Sequence, residues 1–109
     1  MPAETLPAKA VQEFMRAVAA KDVAAVKNVV RKEVAEMLGK PEGQEAIMGM
    51  LGEWYPADKK INLVRVFDFG ERAWVEGESQ RQEESGKTTN VTTRIRAIRV
   101  NGEWKVSPL

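Results

Sequence analysis

Side chains able to move protons or attack substrates are few in this chain, and their types narrow its chemistry before any fold is considered. The 109 residues include no histidine and no cysteine, a single tyrosine (Tyr55) and three aspartates, Asp22, Asp58 and Asp68. Thiol nucleophiles, disulfides, Ser-His-Asp triads and Cys/His zinc sites are thereby excluded. Asp68 is the one acid placed to do catalysis, at the end of an apolar strand. Turned toward an apolar cavity, its carboxyl would have a raised pKa and would serve as a general base. The preferred reading is simpler: an aspartate two residues before Gly70 belongs to the turn.

Ligand-binding candidates are aromatic or cationic. Trp54 and Tyr55 end a helical stretch and would form a lid, Phe14 is a further pocket candidate, and Arg99 with Trp104 would share the rim. Each has a plain packing alternative, since aromatics at helical spacing mostly fill cores and an arginine stem lies readily over an indole. Met15, Met37, Met48 and Met50 are read as core gap-fillers more than as a pocket lining. Glu83-Glu84-Ser85 matches no Ca²⁺ loop, so no metal site is expected. Gly39, Gly43, Gly49 and Gly52 form no phosphate-binding fingerprint.

Charge is balanced, at +1 overall, −1 over residues 1–55 and +2 over residues 56–109. Arg94, Arg96 and Arg99 interleave with glutamates and lack a run of stacking aromatics, so no nucleic-acid partner is expected. No apolar run reaches the ~18 residues of a membrane span, and MPAETLPAKA does not read as a signal peptide. A cytoplasmic location and an exported one with a removed leader both remain open.

The elements that must position these residues follow from periodicity. Length and composition suit one domain over residues 1–109, with helices about 7–55 and a sheet about 60–107. Pro7 suits a first helical turn, and Val11, Phe14, Met15 and Val18 make one apolar face. Asp22 reads as the N-cap of a second helix carrying Val23, Val26, Val30, Val34, Met37 and Leu38 as far as Gly39. The pair Val29-Val30 invites a break near Arg31. Pro41 opens a third helix, weakened at Gly49 and Gly52 by about 1 kcal/mol each relative to Ala, and Pro56 closes it.

Strand signals then take over at 60–69, 72–82, 88–100 and 103–107. Residues 60–69 are apolar enough to be covered on both faces. Gly70-Glu71 suits a type II′ turn and Asn101-Gly102 a type I′ turn. Two-residue turns pair Phe69 with Arg72, Val66 with Val75, Val64 with Gly77, Arg99 with Trp104 and Ala97 with Val106. The 83–87 loop sets Glu76 near Arg94 and Ala73 near Ala97. Alternation then assigns Val64, Val66, Ala73, Val75, Gly77, Val91, Ile95, Ala97, Trp104 and Val106 to the helix-covered face. Ile61, Leu63, Phe67, Phe69, Trp74, Ile98 and Val100 fall on the other, crossed by an Arg65–Glu76–Arg94 ladder. So many large apolar groups on one outer face point to a sheet-to-sheet homodimer, with Arg96 stacked near Trp74.

The stretches PAKAVQEFMRAVAAKDVAAVKNVV (7–30), GERAWVEG (70–77) and NGEWKVS (101–107), in that order, cover nearly the whole chain. In these stretches the chain resembles the nuclear transport factor 2-like (cystatin-like) superfamily, especially small bacterial, lipoprotein-type members of unknown function. The resemblance implies α+β architecture: N-terminal helices packed on a curved, cone-like antiparallel sheet of about four strands. It also implies a pocket at the open end and frequent dimers through the sheet. Catalytic members carry an Asp, Tyr or His at the pocket, and no such motif aligns here. The expectation is therefore a non-catalytic domain that binds a small apolar or amphipathic ligand or a protein partner, without a cofactor. The alternative is a small isomerase- or cyclase-type enzyme using Asp68 as base, with Tyr55 or Arg99 as polariser.

Overall fold

A computed structural model describes residues 6–55 and 60–108. Helix α1 (Leu6–Ala19) carries Pro7 in its first turn and buries Val11, Phe14 and Val18 along one side. The chain reverses through Lys21, whose φ is 56°. Asp22 then caps α2 (Val23–Val29), its carboxylate accepting the Ala25 N–H at 3.1 Å. Capping of this kind stabilises a helix by about 1 kcal/mol.

At the valine pair the expected long helix divides. Val30 is extended, forms an isolated parallel bridge with Val106, and is followed by α3 (Lys32–Leu38). The Arg31 N–H donates to the Val106 carbonyl at 2.9 Å, so the break ties the helical layer to the last strand. Backbone bonds lost from the helix are recovered from a strand. Gly39 ends α3 in a right-handed conformation (φ −74°), because the chain turns at once into α4 (Pro41–Trp54). Gly43 permits that tight crossing, since a Cβ there would collide with the Met37 carbonyl. Pro56, expected to stop the helix, lies outside the described residues.

Four antiparallel strands follow as a meander: β1 (Asn62–Asp68), β2 (Arg72–Gln82), β3 (Thr88–Val100) and β4 (Glu103–Ser107). The bounds of β2, β3 and β4 coincide with the predicted strands. The tight turns have the backbone their residues favour: φ is 95° at Gly70, and 52° and 80° at Asn101 and Gly102. Val66 faces Val75, Ala73 faces Ala97, Ala97 faces Val106, Glu76 faces Arg94 and Arg99 faces Trp104, as the turns require.

One register differs. A bulge between Leu63 and Arg65 makes Val64 the extra residue, so that Leu63, not Val64, lies opposite Gly77. A bulge reverses the alternation of everything on its far side. Ile61 and Leu63 therefore pack against the helix-side core, and Val64 is 41% exposed. The assignment of Leu63 to a dimer face is corrected, and Ile61 moves with it. The reason is visible at Gly77: a Cβ there would meet Ile61 Cγ2 at 2.5 Å and Leu63 Cδ2 at 3.4 Å. The glycine leaves room, and the bulge supplies the side chains that fill it. Nor is β1 covered on both faces, for every residue in it is half-buried or exposed.

The core lies between the helices and the inner face of the sheet. Phe14, Leu38, Leu51, Val75, Ile95 and Val106 are essentially inaccessible. Burying side chains of this size contributes about 1.5–3 kcal/mol each.

Candidate functional site

Inside the fold the Phe14 and Tyr55 rings meet edge to face, 5.3 Å between centroids, and both are buried. A cleft of about 750 Å³ lies along the helical layer. Its walls are Val18 from α1, Val23 from α2, and Met48, Gly49, Gly52 and Tyr55 from α4 and its C-cap; Lys21 and Glu45 bring charges of opposite sign.

Two glycines make the cleft. Gly49 and Gly52 stand one turn apart in α4, and a Cβ at either would meet no atom within 4 Å. Neither is needed for backbone geometry or close packing, yet each costs a helix interior about 1 kcal/mol relative to Ala. What their missing side chains leave is space between α4 and the α1–α2 turn. Tyr55 closes the inner end. It is 8% exposed, and burial pushes its phenol pKa above the ordinary tyrosine value. Among the described residues nothing is recorded as hydrogen-bonding its hydroxyl.

No sequence-family model matches the chain, and no curated protein does. Solved structures do. A SEC-C motif-containing protein of Rhodopseudomonas palustris superposes with a TM-score of 0.62 at 15% identity, over 93% of this chain and 74% of that one. A candidate dehydratase of the nuclear transport factor 2-like family from Streptomyces avermitilis gives a TM-score of 0.57 at 15% identity, over 93% and 92%. TerC, co-crystallised with polyporic acid, gives 0.57 at 12% identity, over 96% and 91%. The chain has the nuclear transport factor 2-like fold. At such identities the likeness is one of architecture, and activity must be argued from side chains.

Within this nuclear transport factor 2-like fold the sequence candidates are scattered. Of the five expected pocket residues only Tyr55 lines the large cleft; Phe14 lies fully buried behind it, and Trp54 is 45% exposed on α4. Arg99 and Trp104 do meet, the guanidinium 5.8 Å from the indole centroid, which is the stacking arrangement. Asp68 is exposed, and its Oδ1 accepts the Gly70 N–H at 2.8 Å, the geometry of a turn residue. Met48 alone of the four methionines considered lines the large cleft; Met37 is 46% exposed.

On the outer face, Arg65, Glu76 and Arg94 share one row of the sheet, as the ladder requires. Only one rung is closed: Arg94 Nε donates to Glu76 Oε2 at 3.0 Å. The Arg65 guanidinium lies over Phe67 instead, 5.8 Å from the ring centroid. The cation stacked on Trp74 is Arg94, at 5.4 Å, and not Arg96 as the register suggested. Arg94 can reach the indole because it stands two residues along β3 from Arg96 and leans over the ring while keeping Glu76. Ile98 is half-buried, and Trp74 is 37% exposed.

The residues that sequence reasoning missed are those of the α4 wall. Gly49 and Gly52 registered as helix weakness, whereas their spacing one turn apart on the Met48–Tyr55 side was the available signal.

Proposed function

We propose that this protein is a non-catalytic binding domain for a small apolar or amphipathic molecule, held in the cleft between α4 and the α1–α2 turn. The observation that carries the reading is the pair Gly49 and Gly52, which cost helix stability and open a cleft walled by Met48, Val18 and Tyr55. Apolar walls would bury the ligand's body, and the Tyr55 hydroxyl would orient a single polar group. The co-crystallisation of TerC with polyporic acid supports the use of this fold to hold small molecules. Asp68 gives the catalytic alternative no support, since its carboxylate is spent on the Gly70 turn.

A thermal-shift screen with apolar and amphipathic compounds tests the reading. A saturable rise in melting temperature, abolished in Gly52→Leu, is expected. A rise that survives Gly52→Leu would place the ligand elsewhere.

The homodimer is a second reading, favoured by exposed Phe69 and Trp74 beside half-buried Phe67 on the outer sheet. Light scattering at micromolar concentration decides between this use of the face and any other: a dimer that Trp74→Glu dissociates would support it, and a monomer would exclude it.

A further inference from the structure

Two concavities share Arg72 and Trp74, the first of them on the outer face of the sheet. One, of about 490 Å³, is walled by Phe67, Phe69 and Trp74, with Arg72 and Arg94 at its margin. The other, of about 330 Å³, takes in Arg72, Trp74, Arg96, Ile98 and Ser107 and reaches Ala73, Ala97 and Arg31. Among the described residues neither has an acidic lining side chain.

The charges here are unequal in number and in freedom. Arg94 is committed, stacked on Trp74 and bonded to Glu76. Glu76 is itself only 8% exposed, and so is spent on that pair. Glu78 lies farther along β2, opposite Asn62 and Thr92. Among the described residues no carboxylate pairs with Arg65, Arg72 or Arg96. A second copy docked face to face would bring another set of guanidiniums onto the first, which disfavours that occupant. A lone inorganic anion would leave the three aromatic rings wet.

We propose that this face binds a planar aromatic anion, its ring laid against Trp74 and Phe67 and its carboxylate or sulfonate received by the Arg72 guanidinium. Aromatic faces accept a stacked ring without strict shape demands. An arginine fork takes a carboxylate in two parallel charge-assisted hydrogen bonds. The Arg94–Glu76 pair holds the indole in place, so the platform is formed before the ligand arrives. This site is independent of the helical cleft.

The test is titration of the ¹⁵N-labelled protein with 1-naphthoate, following the Trp74 indole N–H. A saturable shift is expected, with at least tenfold weaker binding of the neutral isostere 1-naphthalenemethanol. Arg72→Gln is expected to weaken 1-naphthoate about tenfold, and Arg72→Lys less, because it keeps charge without the fork. Arg72 is exposed, so both variants should keep the wild-type circular dichroism spectrum. Gly52→Leu, which fills the cleft, should leave this titration unchanged. Equal binding of the neutral compound, indifference to Arg72→Gln, or absence of a saturable Trp74 shift would overturn the proposal. So would a dimer that Trp74→Glu dissociates, since the occupant would then be a second copy.

Discussion

The two faces of the sheet are made by the same four strands, yet they are furnished in opposite ways. Toward the helices, Ala73, Val75, Ile95, Ala97 and Val106 are small or β-branched and almost wholly buried. Away from them, Phe67, Phe69 and Trp74 are large, partly wet, and interleaved with arginines. Space explains the inner face, because a helix packed on a sheet leaves little depth over the strands and Phe14 already fills it. On the outer face Arg65 lies over Phe67 and Arg94 over Trp74, so two of the three rings are partly covered by cations rather than by packed neighbours. The contrast teaches that residue size is rationed on one side by packing, and on the other is available for binding.

The comparison can be broken most severely from inside. Phe14→Ala should cost about 3–5 kcal/mol, read as a drop in the urea midpoint, because the cavity it leaves lies between helix and sheet. An equally large effect from Phe69→Ala would contradict the contrast, since that ring is 69% exposed and its loss should stay within about 0.5 kcal/mol. Next comes Gly77→Val, expected to destabilise by about 1–3 kcal/mol, because the added carbons must displace Ile61 and Leu63. The helical cleft should respond with the opposite sign. Gly49→Ala adds a methyl in open space and should raise stability by about 1 kcal/mol, with a measurable gain in helicity.

The smallest expected effect is one of pH. The Tyr55 phenol ionises near 10 when unfolded and higher when folded, because burial opposes the charge. Its contribution is fully present below pH about 10 and is lost as pH rises through the folded value, since the unfolded state then releases its proton first. Tyr55→Phe should therefore flatten the alkaline fall in melting temperature relative to the parent.

How much of this was legible can be argued from particular residues. The α1 face, the Asp22 cap, the Gly70 and Asn101-Gly102 turns and most cross-strand pairs could be read because each follows from a few adjacent residues. The split of the second helix was visible as a weakness at Val29-Val30, though its use as a tether to Val106 was not. The faces of Ile61 and Leu63 were misassigned because a bulge at Val64 depends on what must cover Gly77, thirteen residues away. The cleft went unseen for the same reason. Glycines in a helix look like a flaw until the neighbouring α1–α2 turn shows the space they leave.

Local rules thus determined which segments are helix or strand, where they turn, and that the chain has no imidazole or thiol chemistry, because propensity, capping and turn geometry act within a few residues. Only the tertiary structure decided that Phe14 and Tyr55 meet in the interior, that a cleft of about 750 Å³ lies against α4, and that Arg94 rather than Arg96 stacks on Trp74. These outcomes rest on which side chains compete for one volume or one partner, and that competition exists only once distant segments have met.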